Sequence, residues 1–386
     1  MLDGVGIGEL PDASAYGDTG TNTLANVAKA VGGLRLPNLE TLGIARLTNV
    51  PGLDPRRPVE GCFGSMREQS RGKDSTAGHW EIAGIITEKP FPVYPNGFPE
   101  QMINRFVEVT GCKGILGNKP ASGTEIIREL GDAHVRTGHP IVYTSGDSVF
   151  QIAAHEGVVP LRTLYEYCLK ARKEVAVGEH AVGRVIARPF VGTSGAYTRT
   201  PNRRDFSVEP LSETVLDVLH RNGIETVGIG KIDDLFAGRG LRRTIHTKSN
   251  GEGIQAVLDT ARDLRSGFVM ANLVDFDTMY GHRQDPEGFA KALKEFDAAL
   301  PEIQRCLRDD DLLIITADHG NDPTDNSTDH SREYVPLLCF SPSGNKGVDL
   351  GRRETLADAG KTVAEFFGIR NQFAGKSFLS MVMSTS

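Results

Sequence analysis

Three short apolar runs, each leading directly into polar residues, constrain the fold of this 386-residue chain more than any other feature. They are "ETVGIGKI" (225–232), "FVMANLVDFD" (268–277) and "DLLIITADHG" (311–320). Nearly continuous apolar runs of this length are typical of strands in a parallel sheet that is covered on both faces. Ligands of such sheets collect beyond the carboxyl ends of the strands, so Asp277 and Asp318 are predicted to lie in a functional site.

Helical patterns separate the apolar runs, which predicts an α/β fold with a mainly parallel sheet sandwiched by helices. Apolar side chains recur every three or four positions over residues 286–307, and Pro301 is expected to kink or split that helix. A helix over 212–221 is predicted with Ser212 as its N-cap, and another helix over 355–367.

The middle of the chain differs in composition. Residues 88–100 contain four prolines, and further strand and helix patterns follow them, with 192–209 predicted to be a loop. The sequence therefore predicts a discontinuous core domain, residues 1–92 and 209–386, interrupted by an inserted α+β cap domain of residues 93–208.

Composition argues against several classes of function. The formal net charge is −7 and no dense block of Lys or Arg occurs, so neither nucleic acid nor a membrane surface is an expected partner. No apolar run reaches the roughly 20 residues that a membrane span needs, and no secretory signal pattern opens the chain. The five cysteines are scattered without CxxC spacing, which favours a cytoplasmic location and disfavours a thiolate metal site.

Aspartate and histidine recur in four stretches, "LDG", "DTMYGH", "ADHG" and "TDH". Carboxylate and imidazole ligands without thiolate suit Mn²⁺, Zn²⁺ or Mg²⁺. Each residue alone could be a polar loop residue, but together they predict two ions that clamp a phosphoryl transfer. The six candidate ligands are Asp3, Asp277, His282, Asp318, His319 and His330.

A nucleophile is expected beside these ligands. "RGKDSTAGHWE" (71–81) offers the hydroxyls of Ser75 and Thr76. A hydroxyl bound to a metal ion loses its proton more easily and can attack phosphorus near neutral pH. The alternative is an Asx-type turn that begins at Asp74.

With these motifs in place, the chain resembles the phosphopentomutase family of the alkaline phosphatase superfamily along nearly its whole length. The similar stretches include "LDGVGIGELPDA", "GKDSTAGHWEI", "NLVDFDTMYGHR", "ITADHGNDP" and "TDHSREYVPLL". "GNKPASGTEI" and "YTSGDSVFQIAAHE" lie in the predicted cap and narrow the resemblance to this family. The resemblance implies interconversion of ribose 1-phosphate and ribose 5-phosphate, and of the 2-deoxyribose phosphates. It also implies two Mn²⁺ ions, a phosphorylated hydroxyl and a sugar bisphosphate as activator.

The resemblance assigns roles to individual positions. One ion would be held by Asp277, His282 and His330, and the other by Asp3, Asp318 and His319. The family's nucleophile is the threonine directly after "GKD"; Ser75 stands there in this chain, with Thr76 as its rival. The implied substrate-binding residues are Ser145, Asp147, Arg184 and Arg199 in the cap and Lys231 in the core.

Two alternatives stay open at this point, a metal-dependent phosphatase of the same superfamily and a non-catalytic metal-binding protein. The family has about ten residues of apolar strand before the position of Asp3, within the usual length of a strand, whereas Met1 and Leu2 precede it here. We expect this to cost stability, or to weaken the ion bound by Asp3, Asp318 and His319.

Overall fold

The computed structural model describes residues 1–383. The contacts within the chain divide it into two compact units. The core unit comprises Met1–Pro90 and Pro210–Ser386, and the inserted unit comprises Phe91–Glu209. No helix among the described residues is both long enough and apolar enough to span a membrane.

Strands and helices alternate along much of the chain. The strands are β1 (Cys62–Met66), β2 (Leu116–Pro120), β3 (Ile141–Thr144), β4 (Val149–His155), β5 (Arg184–Val191), β6 (Thr198–Arg199), β7 (Arg204–Ser207), β8 (Thr226–Ile229), β9 (Arg243–Ile245), β10 (Phe268–Ala271), β11 (Leu313–Thr316), β12 (Val335–Phe340) and β13 (Val348–Arg353). The α-helices are α1 (Ala13–Tyr16), α2 (Thr23–Ala30), α3 (Pro37–Thr41), α4 (Ser75–Ile82), α5 (Glu100–Thr110), α6 (Gly123–Thr137), α7 (Leu161–Lys170), α8 (Val215–Arg221), α9 (Ile232–Leu235), α10 (Asn250–Asp263), α11 (Pro286–Cys306), α12 (Ala357–Phe366) and α13 (Leu379–Val382).

The core unit contains two sheets, with strand orders β11-β12-β1-β13 and β10-β8-β9. The pairs β1–β13, β8–β10 and β8–β9 are parallel, whereas β12 is antiparallel to both β1 and β11. An irregular loop, rather than a crossover helix, joins β11 to β12, and this permits the antiparallel return. The predicted α/β class with a mainly parallel core sheet is confirmed.

The first residues of the chain lie between the ends of β10 and β11. The backbone N–H of Leu2 donates to the carbonyl of Thr316 at 2.8 Å, and that of Leu273 donates to the carbonyl of Met1 at 3.0 Å. A cavity of about 260 Å³ lies beside them, lined by apolar side chains that include Val269 of β10 and Leu313 of β11. The expected cost in stability stays a prediction.

The long helix α11 is continuous through Pro301, so of the two predicted effects the split is wrong and the kink stays a prediction. Proline lacks the N–H that would bond the carbonyl four residues earlier, which here belongs to Asp297. The side-chain Nδ2 of Asn38 donates to that carbonyl at 2.8 Å instead, and the Asp297 carboxylate accepts the backbone N–H of Leu39 at 2.7 Å. A contact from a distant segment thus satisfies the freed carbonyl.

Two further local predictions differ from the structure. Helix α8 begins at Val215 and is capped by Thr214, whose hydroxyl accepts from the backbone N–H of Asp217, so Ser212 is not the N-cap. The segment 192–209, predicted to be a loop, contains β6 and β7, which both pair with β5.

The inserted unit is built on the sheet β2-β3-β4-β5-β6, in which β7 also pairs with β5. One buried cluster contains Phe106 of α5, Phe150 of β4 and Leu164 of α7. A second cluster contains Ile127 of α6 and Tyr143 of β3. Successive residues of a strand point to opposite faces of a sheet, so the two clusters lie on opposite faces. Helices α5 and α7 therefore cover one face of the sheet, and α6 covers the other.

Candidate metal centre

The predicted metal ligands of the core unit come from four separated segments. Asp3 follows the short N-terminal segment, and Asp318 and His319 follow β11 after one intervening residue, Ala317. His330 lies farther along the loop that leads to β12. Asp277 lies not at a strand end, as its sequence pattern suggested, but in a π-helical turn over Phe276–Gly281.

Asp277, His282 and His330 form one cluster. The Nε2 atoms of His282 and His330 lie 3.3 and 3.1 Å from Oδ1 of Asp277. One ligand atom from each residue falls within 4.8 Å of the others, a spacing that suits a single ion. This is the group that the resemblance implied for one of the two ions.

Asp3, Asp277 and His319 form a second cluster at the same spacing. Nε2 of His319 lies 3.5 Å from Oδ1 of Asp3 and 3.2 Å from Oδ2 of Asp318. Asp318 was assigned with Asp3 and His319, and its Oδ1 accepts the backbone N–H of Gly4, the residue after Asp3, at 3.3 Å. Asp277 belongs to both clusters, so two ions bound here would be neighbours.

The three histidines share one hydrogen-bonding pattern. Nδ1 of His282 lies 2.6 Å from the carbonyl of Thr328, Nδ1 of His330 lies 2.8 Å from that of Lys73, and Nδ1 of His319 lies 3.0 Å from that of Gly320. A carbonyl can only accept, so each Nδ1 carries a proton, and each Nε2 lies among the candidate carboxylate ligands, where it could bind a cation. The rings are thus oriented as metal ligands usually are.

The carboxylates also fit a divalent cation. Oδ1 of Asp3 is buried and accepts no hydrogen bond from the described residues, and the buried Oδ2 of Asp318 has only the imidazoles of His79 and His319 beside it, at 3.0 and 3.2 Å. Burial, followed by the charge of Asp318, raises the pKa of Asp3. Burial also opposes ionisation of Asp318, but His319 and His79 hold the pKa of Asp318 well below its usual value. Buried carboxylates this close together need positive charge, which bound cations would supply.

Ser75 is the first residue of α4. The Asp74 side chain caps this helix by accepting the backbone N–H of Ala77 at 3.0 Å. Oγ of Ser75 lies 3.1 Å from Nε2 of His319, within the candidate metal centre. Thr76, the rival nucleophile, follows within the helix and is buried.

Close packing holds α4 against the metal ligands. A Cβ atom at Gly78 would lie 2.3 Å from the carbonyl oxygen of Asp318, so only glycine allows this approach. The glycine in "STAGHWE" therefore permits the contact between the helix and the ligand loop.

Two residues that contact the ligands were not predicted from the sequence. His79 is fully buried, and its Nδ1 lies 2.8 Å from the carbonyl of Ser75 and 3.0 Å from Oδ2 of Asp318. Nδ2 of Asn321 donates to Oδ1 of Asp277 at 2.7 Å. The position of His79 one helical turn after Ser75 was a signal available in the sequence.

Lys231 was predicted to contact the substrate from the core. Its Nζ lies 3.3 Å from Oδ2 of Asp3 and 3.8 Å from Oδ2 of Asp277. The structure thus places this cation against carboxylates of both clusters.

The substrate-binding residues predicted in the inserted unit do not all lie together. Ser145 and Asp147 belong to the loop between β3 and β4, and the backbone N–H of Arg184 donates to Ser148 of that loop at 3.3 Å. Arg199 pairs instead with Phe190, six residues along β5 from Arg184. At about 3.3 Å per residue, this places the two arginine backbones roughly 20 Å apart.

Comparisons with known proteins agree with this geometry. The sequence model of the metalloenzyme superfamily matches residues 1–371. The chain is 58% identical to the phosphopentomutase of Dictyoglomus thermophilum, over 99% of this chain and 97% of that protein. It is 56% identical to the phosphopentomutase of Acetivibrio thermocellus, over 99% and 98% of the two chains.

A solved structure is similar in fold. The PH0037 protein from Pyrococcus horikoshii superposes with a TM-score of 0.50 at 15% identity, covering 97% of this chain and 98% of that one. With the metalloenzyme match, this likeness supports an alkaline-phosphatase-like α/β core. From the identity to its relatives over nearly their full length, the chain belongs to the phosphopentomutase family of the metalloenzyme superfamily.

Proposed function

We propose that this chain is an isomerase that interconverts ribose 1-phosphate and ribose 5-phosphate, and the corresponding 2-deoxyribose phosphates, in nucleoside catabolism and salvage. The observation that carries the proposal is the position of Ser75, whose Oγ lies 3.1 Å from Nε2 of His319 at the edge of two Asp-His clusters. The name of its relatives, phosphopentomutase, supports the same activity.

Two Mn²⁺ ions are the proposed cofactors. Asp277, His282 and His330 would hold one ion, and Asp3, Asp318 and His319 the other. When bound, such a pair of cations neutralises the charge that develops on the phosphoryl oxygens during an in-line displacement.

Ser75 is the proposed nucleophile. Its hydroxyl gives up its proton as Oγ forms a bond to a phosphorus atom of the sugar bisphosphate, and the bond from that phosphorus to the sugar oxygen breaks. The sugar oxygen takes up a proton and leaves as a hydroxyl of the sugar monophosphate, and Ser75 becomes phosphoserine. The dipole of α4 would favour negative charge near Ser75, the first residue of this helix. The phosphoenzyme then transfers its phosphoryl group to a pentose phosphate, so that a sugar bisphosphate is both intermediate and activator.

The inserted unit is proposed to be the substrate-binding cap. Arg184, which lies beside the loop of Ser145 and Asp147, would bind the phosphate that is not transferred, because a guanidinium group bonds phosphate with several donors at once. Arg199, whose backbone lies roughly 20 Å away along the sheet, would contact a different part of the substrate. Ser145 and Asp147 would bond the ribose hydroxyls. Lys231 would supply a further positive charge from the core unit. The five free cysteines agree with a proposed location in the reducing cytoplasm.

A metal-dependent phosphatase would use the same centre but release phosphate to water. One assay separates the two activities: ribose 5-phosphate formed from ribose 1-phosphate, with free phosphate measured in the same sample and with Mn²⁺ either added or chelated. We expect isomerisation that requires the metal and releases almost no phosphate. Stoichiometric release of free phosphate would establish the phosphatase, and absence of both products would overturn the proposal.

A further inference from the structure

The side chain of Arg332 is 2% exposed and lies two residues after His330. Its Nη1 donates to the carbonyls of Ser70 and Gly72 at 2.6 and 2.9 Å, and to Oε2 of Glu68 at 2.8 Å. Its Nη2 donates to the carbonyl of Glu68 at 3.2 Å. One guanidinium group therefore binds three alternate carbonyls of a single segment, residues 67–74, which we call the nucleophile loop.

The guanidinium group of Arg332 also contacts a second segment, which contains Asp12 and Tyr16. Nε and Nη2 of Arg332 donate to the carboxylate of Asp12 at 3.3 and 3.2 Å, and the group lies 5.0 Å from the ring centre of Tyr16. The hydroxyl of Tyr16 in turn donates to the carbonyl of Arg71 at 2.7 Å. Lysine could not reproduce this arrangement, because its ammonium group has three donors and no planar fork.

The nucleophile loop connects β1 to α4 and ends at the residue before Ser75. Lys73 belongs to this loop. Its backbone carbonyl accepts a hydrogen bond from Nδ1 of His330, and its side-chain Nζ lies 3.1 Å from Oδ1 of Asp18. The backbone N–H of Arg332 donates to the other oxygen of Asp18 at 2.9 Å. Arg332 thus bonds the nucleophile loop both directly and through Asp18. This loop orients His330 through the Lys73 carbonyl and leads into α4, which begins at Ser75.

We propose that Arg332 is a positioning residue for phosphoryl transfer, which holds the nucleophile loop so that Ser75 remains within reach of the metal centre. The proposal rests on the proposed function, since it takes Ser75 to be the residue that is phosphorylated. Arg332 is not one of the candidate metal ligands, and the acceptors of its guanidinium group are protein atoms. Its loss should slow the formation of phosphoserine while leaving the metal ligands in place.

The test compares Arg332→Lys and Arg332→Ala with a matched arginine whose side chain bonds residues outside the nucleophile loop. Arg353 suits this purpose: its Nε bonds Oδ2 of Asp358 at 2.6 Å, its Nη2 bonds the Lys376 carbonyl at 2.8 Å, and it packs on the ring of Phe378. Arg353→Lys and Arg353→Ala are made in parallel. Five quantities are measured for each protein: kcat, KM, the rate of phosphoserine formation from a pentose bisphosphate, the Mn²⁺ content and the melting temperature.

We expect Arg332→Lys to lower both kcat and the rate of phosphoserine formation by about 10- to 100-fold, with KM and Mn²⁺ content unchanged. Added guanidinium ion should partly restore Arg332→Ala, because it can occupy the space of the missing group. The Arg353 variants should lower the melting temperature and leave the phosphorylation rate unchanged.

Tyr16→Phe provides a second test if the Arg332 variants do not fold. It removes only the hydrogen bond to the Arg71 carbonyl, and it should slow phosphorylation of Ser75 by a smaller factor at an unchanged melting temperature. Unchanged phosphorylation in the folded Arg332 variants, or in Tyr16→Phe when they do not fold, would overturn the proposal. Equal kinetic losses in the Arg332 and Arg353 variants would also overturn it. A wild-type protein that forms no phosphoserine would refute the proposed function instead.

Discussion

Oγ of Ser75 lies 3.1 Å from Nε2 of His319, although 244 positions separate the two residues in the sequence. The contact joins the first residue of α4 to a histidine whose Nδ1 is already bonded to a backbone carbonyl. The hydroxyl and the candidate ligands therefore occupy one small region of the core unit. This contact makes Ser75 the residue to replace in a test of the proposed nucleophile.

Ser75→Ala should lower mutase turnover by at least about 10³-fold, because it removes the attacking oxygen. Both metal ions should remain bound, since the six Asp and His ligands are intact. The check is phosphopeptide mapping after incubation with a sugar bisphosphate, with Mn²⁺ content measured alongside. Thr76→Val, which removes the neighbouring hydroxyl at nearly constant volume, is the matched control. Phosphate found on Thr76 would show that the nucleophile is misassigned.

Asp147→Ala and Arg184→Ala should each lower turnover while leaving the Mn²⁺ content unchanged, because both residues lie in the inserted unit and the proposed ligands lie in the core unit. Elemental analysis of the purified variants, set beside their kcat and KM, tests this division of roles. Loss of an ion from either variant would contradict it.

His79→Ala should weaken Mn²⁺ binding by about 10- to 100-fold, because Asp318 loses the imidazole beside its Oδ2. His79→Asn should be milder, since its side-chain amide can place a donor near the position of Nδ1. His134 in the inserted unit is a suitable control: it is equally buried, and its Nδ1 bonds the carbonyl of His139 at 2.7 Å. Calorimetric titration with Mn²⁺ should show weaker binding for His79→Ala alone. Equal affinities in the two alanine variants would exclude a role for His79 in the metal centre.

Glu333 should make the stability of the protein depend on pH. Burial raises the pKa of its carboxyl from 4.5 to about 7, although the side chains of Ser331 and Thr23 and the backbone N–H of Thr23 donate to it and oppose the shift. The folded state then binds more protons than the unfolded state between these pH values, so stability falls as pH rises through this range. Below pH 4.5 both states are protonated and the effect disappears.

Glu333→Gln isolates this effect, because glutamine does not titrate and all other groups are shared. Between about pH 4.5 and 7, the unfolding free energy of the wild type relative to the variant should fall by up to about 3 kcal/mol. Chemical denaturation of both proteins at pH 5 and pH 8, in the same metal-loaded buffer, measures the difference. A difference that rises with pH would mean that the hydrogen bonds outweigh burial and that the pKa is lowered.

The sequence alone determined the α/β class, because apolar runs and amphipathic periods are local properties of the chain. The Asp-His motifs follow from the sequence in the same way, since "ADHG" directly follows the apolar run that forms β11. The resemblance then pointed to the family to which the chain belongs. Each of these inferences depends on residues that are close together in the sequence.

Only the tertiary structure placed Asp277 in both ligand clusters, and only it brought the side chains of His79 and Arg332 against the metal centre and the nucleophile loop. It also kept α11 continuous, because Asn38 donates to the Asp297 carbonyl that Pro301 leaves without its usual partner. The physical reason is common to these cases. Buried polar groups must find partners, and which partners are within reach is decided by packing between segments that lie far apart in the chain.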